Sequence, residues 1–202
     1  MTRVLFLGRR DRVYARLAAL SGLQAGQQAL DVGSGSGALT RALARLAGPG
    51  GSVTGVDPGV EMVAWCREQP AAPGAAPIRY AAGPAQALEL PDASVEVVAS
   101  ALVIHHIEAA QRPAAVAEMA RVVRPGGLVL LVDIDPARSR VGKKLLDALL
   151  GPQMARRDPQ ELADLLAGAG LVVQERGRRG LLGYARALRP SHTEPGSGAS
   201  RR

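Results

Sequence analysis

Three groups of residues in this chain have the types and spacing to do chemistry. The first is Leu30-Asp31-Val32-Gly33-Ser34-Gly35-Ser36-Gly37, where an apolar run stops at three glycines and a helical pattern starts at Ala38. Glycines there let the backbone turn sharply and approach a ligand closely. The first amides of the helix favour an anionic or carboxylate-bearing group. The second is Asp57, which follows the next apolar pattern, Ser52-Val-Thr-Gly-Val56. An acid at the end of a second strand is placed to accept hydrogen bonds from a ribose diol. Together the two groups describe a site for an adenosine-containing cofactor. The third is His105-His106. Histidine is the side chain suited to take a proton near neutral pH. Two readings stay open for the pair, a general base or a local cap and hydrogen-bonding role.

These residues need elements that hold them at one edge. Val13, Leu17 and Leu20 share one face of a predicted helix over Asp11–Leu20, after a short apolar and basic lead. Strand patterns follow at Gln28–Val32, Ser52–Val56, Ile78–Ala82, Val95–Ser100 and Leu128–Val132. Helical patterns lie between them at Leu39–Leu46, Val60 to about Glu68, and Pro113–Val122. The stretch from Ile134 to Met154 reads as a loop with one helix, Val141–Leu150. Pro159 suits the first turn of a helix to Ala169, and Gly170 its end. Two last strand patterns, Leu171–Gln174 and Leu182–Ala187, are joined by a segment too short for a helical crossover. They must therefore pair antiparallel. Strands alternating with helices predict an α/β fold, a mostly parallel sheet with helices on both faces.

Composition narrows the classes. The 202 residues fit one domain, read as residues 1–189 with a Pro/Ser/Gly/Arg tail at 190–202 that predicts disorder. Hydrophobic residues are 47% and aromatics only 2%, so the core must be Leu, Val and Ala. The net charge of +7 raises nucleic acid as a partner. The arginines are scattered and not interleaved with aromatics, which argues against it. No apolar run is long enough to span a membrane, and the start Met1–Gly8 is too short for a signal peptide. Cys66 is the single cysteine, so no intrachain disulfide or cysteine-rich metal site is expected. A cytoplasmic monomer or homodimer without a metal is the expectation.

The glycine loop alone, Gly33-x-Gly35-x-x-Ala38, also fits a looser dinucleotide fingerprint, so a nicotinamide-dependent oxidoreductase is a rival. The helix before the first strand, Arg124-Pro125-Gly126-Gly127 before the fifth, and no Tyr-x-x-x-Lys pair argue against it. The blocks LDVGSGSGALT, VTGVDP, ALELPDASVEVVASALVIHHI and RVVRPGGLVLLVD, in this order, resemble the class I S-adenosylmethionine-dependent methyltransferases. The branch is the ubiquinone/menaquinone-biosynthesis-like one, and the resemblance covers roughly residues 10–188. It implies a Rossmann-like, seven-stranded sheet with an antiparallel last strand, and a lid role for the helix at about 11–20, including Tyr14.

The resemblance also implies a site. Asp31, Gly33, Ser34, Gly35 and Gly37 would line the amino-acid end of the cofactor. Asp57 would bind the ribose, with Pro58 fixing the turn after it. Met62 would pack on the adenine or, alternatively, face the core. Relatives usually carry Gly-Asp-Ala after the third strand, and the Asp accepts from the adenine amino group. Here the segment is Gly83-Pro84-Ala85-Gln86, so adenine recognition must rest on backbone groups near Ala85 or on Gln86. Ser100, Ala101 and Leu102 would lie under the methionine part. Glu96 would support the fourth strand's entry. Asp133 and Asp135 end the fifth strand near the acceptor pocket and either pair with Arg138 or Arg140 or, in the preferred reading, form a solvated loop cluster. The implied reaction moves a methyl group to an O, N or C atom of a small molecule, a quinone precursor or secondary metabolite. The alternative is a cofactor-binding homologue that does not methylate, such as a cyclase or regulatory partner.

Overall fold

A computed structural model describes residues 10–135 and 159–191. Apolar alternation along the strands dictates its layers. Along β5 (Val123–Ile134), Val129 and Leu131 face one core, while Leu130 and Val132 face the other. Successive strand side chains point to opposite faces, so a strand buried on both sides reads as one continuous apolar run. α1 (Arg10–Leu20), α2 (Ala38–Ala47) and α3 (Val60–Arg67) cover one face. α4 (Arg112–Val122) and α5 (Pro159–Gly168) cover the other.

The remaining strands are β1 (Gln28–Val32), β2 (Ser52–Asp57), β3 (Ile78–Ala82), β4 (Val95–Ala101), β6 (Val172–Arg179) and β7 (Leu182–Leu188). In the described residues they form one seven-stranded sheet in the order β3-β2-β1-β4-β5-β7-β6. β1 to β5 pair parallel, and β7 runs antiparallel to both β5 and β6. The strand order reverses beside β1, and ligands bind outside the carboxyl ends of strands at such a switch point. The carboxyl ends of β1, β2, β4 and β5 therefore define the functional edge.

Two elements exceed their predicted lengths. β6 runs on to Arg179 because β7 supplies a partner for every added residue, down to Arg179 opposite Leu182. The connection shrinks to Gly180-Leu181, with Gly180 at φ +65°. β5 begins at Val123, and Arg124–Gly127 bulge between the rungs Val95–Val123 and Val97–Leu128. Arg189 locks that bulge. Its amide donates to Gly127 O, its carbonyl accepts from Gly126, and its Nη1 reaches the carbonyls closing α4, at Ala120 (3.0 Å), Arg121 (2.8 Å) and Val123 (2.6 Å). Glu96 performs the supporting role expected of it, accepting from the Gln28 amide at 2.9 Å and pairing with Arg124. The predicted helix Val141–Leu150, Arg138, Arg140 and all but Pro190 and Ser191 of the tail lie outside the described residues.

Candidate active site

The glycine turn is built by crowding on one side and openness on the other. Gly33, Gly35 and Gly37 have φ of +74°, +48° and +69°, a region L side chains avoid. A Cβ on Gly33 would stand 2.3 Å from Val103 Cγ2, and one on Gly37 would stand 2.4 Å from Tyr80 Oη. A Cβ on Gly35 would meet nothing within 4 Å. The turn is pinned from below: Gly33 N and Ser34 N both donate to Val56 O, at 2.7 and 2.9 Å. Cys66 Sγ donates to Gly35 O at 3.2 Å, and Arg10 of α1 donates to Ser36 Oγ.

Asp57 ends β2 directly against this turn. Its Oδ2 accepts from Gly35 N at 2.7 Å and its Oδ1 from Gly59 N at 2.9 Å. Each oxygen keeps a further lone pair. Asp31 ends β1 in a different environment. It is buried, Thr40 Oγ1 donates to its Oδ2 at 2.6 Å, and burial pushes its carboxyl up to about 7, opposed by the Thr40 bonds. The Ser34 hydroxyl is buried and finds no hydrogen-bond partner among the described residues. Buried hydroxyls are normally satisfied, so an unpaired one in this turn fits a polar ligand.

The expected adenine side is assembled from β3 and α3. Met62 is 41% exposed, which removes the core-facing alternative; Val63 and Cys66 take the core positions of α3. Pro58 opens the turn into α3, with Gly59 donating back to Asp57. After β3, Pro84 is exposed and Ala85 packs into the core. Gln86 Nε2 donates to Gln111 Oε1 at 2.9 Å. The Gln86 oxygen is then the acceptor left on that amide.

At the end of β4 two expected residues turn inward. Ser100 is buried, and its hydroxyl donates to Val32 O at 2.9 Å, tying β4 to β1. Ala101 is also buried, and Leu102 takes φ +65° while its amide donates to Val132 O at 2.8 Å. A non-glycine residue in that region is strained, and such strain gathers at functional sites. The chain then forms a tight 3-10 turn, Ile104–His106, whose carbonyls at Ile104 and Ile107 accept from Arg112 Nε at 3.1 and 2.9 Å.

His105 is held by Asp133. The His105 ring Nδ1 lies 2.6 Å from Asp133 Oδ1, and the His105 amide donates to Asp133 Oδ2 at 2.9 Å. The Ile134 amide also donates to Asp133 Oδ1, at 2.7 Å. Asp133 is fully buried, and Asp135 is nearly so and pairs with Arg178. The expectation of a solvated loop cluster is thus corrected. β5 runs on to Ile134 through its pairing with β7, which carries Asp133 into the sheet. The readable signal was the apolar run Leu128–Val132 ending in an acid, as the β2 run ends in Asp57. His106 is exposed, its ring centroid 3.9 Å from that of His105. Partial desolvation of its ring, and then the neighbouring His105, lower its pKa, opposed by Asp133. Tyr14 is buried on α1 beside Arg10, whose guanidinium lies 5.6 Å over its ring.

Among the described residues, no three His, Cys, Asp or Glu are placed to hold a metal ion. No helix among them is long and apolar enough to cross a membrane. The unfilled space over Gly35, the carboxylate of Asp57 and the unpaired Ser34 hydroxyl fit an adenosine-bearing ligand.

The chain is similar to known proteins in sequence and in fold. Residues 30–131 match the family model described as "Methyltransferase domain". The ubiquinone/menaquinone biosynthesis C-methyltransferase UbiE of Stutzerimonas stutzeri is 32% identical over 130 residues, 64% of this chain and 50% of that protein. The arsenite methyltransferase of Halobacterium salinarum is 32% identical over 154 residues, 76% of this chain and 36% of that protein. The chain thus spans about half the length, or less, of these curated relatives. A SAM-dependent methyltransferase structure from Aquifex aeolicus shares the fold, with a TM-score of 0.74, 22% identity, and coverage of 89% of this chain and 92% of that one. With its glycine turn, the acid that ends β2 and the sheet order joined to that family match, the chain belongs to the class I S-adenosylmethionine-dependent methyltransferases, of the UbiE-like type.

Proposed function

We propose that this chain catalyses methyl transfer from S-adenosylmethionine to an oxygen, nitrogen or carbon atom of a small-molecule acceptor, with His105 as general base. The observation that carries the reading is the His105–Asp133 pair at the same sheet edge as the glycine turn. When bound, S-adenosylmethionine supplies a methyl group on a sulfonium centre, open to in-line displacement. Asp57 would hold the ribose, and Gly33, Ser34, Gly35, Gly37 and Asp31 the amino-acid end. Met62, Ala85 and Gln86 would receive the adenine, with Pro84 shaping the turn in place of the usual acid.

With Asp133 accepting from Nδ1–H, the His105 tautomer has its lone pair on Nε2. That nitrogen takes the acceptor's proton as the acceptor atom gains its methyl group. Such proton removal contributes about 10²–10⁴-fold. Scattered arginines support a small-molecule acceptor over nucleic acid.

The test incubates the chain with S-adenosylmethionine and a panel of hydroxylated, amine and quinol acceptors, with mass spectrometry for methylated product and S-adenosylhomocysteine. Product formation that falls about 100-fold in His105→Gln, with cofactor affinity kept, is expected. Cofactor binding with no methylated product across the panel would favour the non-methylating homologue. Full activity in His105→Gln would remove the base assignment.

A further inference from the structure

α1 and the tip of the β6–β7 hairpin face each other across a cavity of about 570 Å³, within the range of small-molecule sites. Val13, Leu17 and Leu20 on one side and Leu182 on the other give it an apolar wall. Arg16 and Arg179 stand in the same wall. Among the described residues, no acid forms a salt bridge with either. Asp135 pairs with Arg178, and Glu175 pairs with Arg186 at 3.0 Å and accepts from Tyr184 Oη at 2.6 Å. Arg179 lies 6.0 Å over the Tyr184 ring, at the outer reach of a cation–π contact. No carboxylate of the described residues pairs with Arg16, and Arg12, one helical turn earlier, adds a like charge.

The cavity lies at the functional edge. Leu182 pairs with Ile134, one rung from Asp133 opposite Gly183. On the other wall, α1 reaches the glycine turn through Arg10 and Ser36. The cavity therefore lies on the α1 face of the sheet, with one wall running on to the cofactor loop and the other starting one rung from the strand end that carries Asp133.

We infer that this cavity holds the body of the methyl acceptor, and that the acceptor is an apolar molecule bearing an anionic group, a carboxylate or a phosphate, paired with Arg16 and Arg179. The word acceptor rests on the methyltransferase reading above; the binding site does not. A neutral apolar molecule would engage neither of the two exposed guanidinium groups. A small polar anion would leave Val13, Leu20 and the 40%-exposed Leu181 uncovered. A planar guanidinium matches carboxylate and phosphate alike in a two-point bond.

Calorimetry on the whole chain with dodecanoate, dodecyl phosphate and the neutral 1-dodecanol tests the assignment. At least one of the two anions is expected to bind about tenfold or more tighter than the alcohol, and the tighter one identifies the group. In the double variant Arg16→Gln/Arg179→Gln, anion affinity should fall to that of the alcohol. S-adenosylmethionine affinity, measured on the same sample, should stay unchanged and report that the chain is folded. Val13→Trp, which fills the cavity from α1, should abolish anion binding. Alcohol binding as tight as both anions, no anion binding, or anion binding untouched in both variants overturns the inference. Failure of the methyltransferase reading is seen separately, as no cofactor binding or no methylated product whatever the dodecanoate result.

Discussion

Asp57 holds the glycine turn through the Gly35 amide, its Oδ2 accepting at 2.7 Å while Oδ1 accepts from Gly59 at 2.9 Å. One carboxylate thus fixes both sides of the cleft in which a ribose would lie. Replacing it removes the ribose acceptor and frees the Gly35 amide together. Asp57→Ala should weaken S-adenosylmethionine binding by about tenfold or more, the scale of ~1.5–3 kcal/mol for hydrogen bonds to a charged group. Calorimetry showing unchanged affinity would remove the ribose assignment.

Gly33 is the least replaceable glycine of the turn. Its φ is +74°, and an added Cβ would stand 2.3 Å from Val103, just before the His105 turn. Gly33→Ala should lower stability by about 1–3 kcal/mol from backbone strain and overpacking. Thermal unfolding measures it. A variant as stable as the parent chain would mean that the turn yields without strain.

Asp31 gives the site a pH dependence. Burial raises its carboxyl from the ordinary 3.8 to about 7. A raised carboxyl contributes stability that is present at low pH and lost as pH climbs through about 7. Asp31→Asn should therefore raise the unfolding temperature more at pH 8 than at pH 5. A cationic amino group near Asp31 favours its ionised form. S-adenosylmethionine affinity should then rise about tenfold from pH 5.5 to 7, and Asp31→Asn should flatten that rise. A profile as steep in the variant would place the titration elsewhere.

Asp133 is a positioning residue under the proposed mechanism. Asp133→Asn offers an amide where His105 Nδ1 needs an acceptor, which allows the ring to take the other tautomer. The expected result is a fall in kcat of at least about tenfold with unchanged cofactor affinity. A merely structural Asp133 would lower stability and leave kcat of the folded protein where it was.

The packing beneath the site carries its own test. Leu130 is fully buried at the centre of β5, on the face that α1 and α2 cover. Leu130→Ala should cost about 2–5 kcal/mol, read by denaturant unfolding.

Much of this protein is written in local sequence. Periodicity and turn residues suffice for the strand and helix order. The antiparallel ending followed from a connection too short to cross over, and the Gly33–Gly37 turn from residues that tolerate φ above zero. Asp57 was legible because an acid ends an apolar run one strand after the glycines. What local pattern could not supply were relationships between residues distant in the chain. Asp133 reads as an acid at the end of a strand, and only the pairing of β7 with β5 buries it against His105, 28 positions earlier. Ser100 reads as a site hydroxyl until β4 lies on β1 and Val32 O takes it. The arginine-rimmed cavity exists only because α1 and a hairpin some 160 residues away close on each other. Backbone preference and apolar period are properties of neighbours in sequence, whereas the partner of a buried polar atom is set by sheet register and packing.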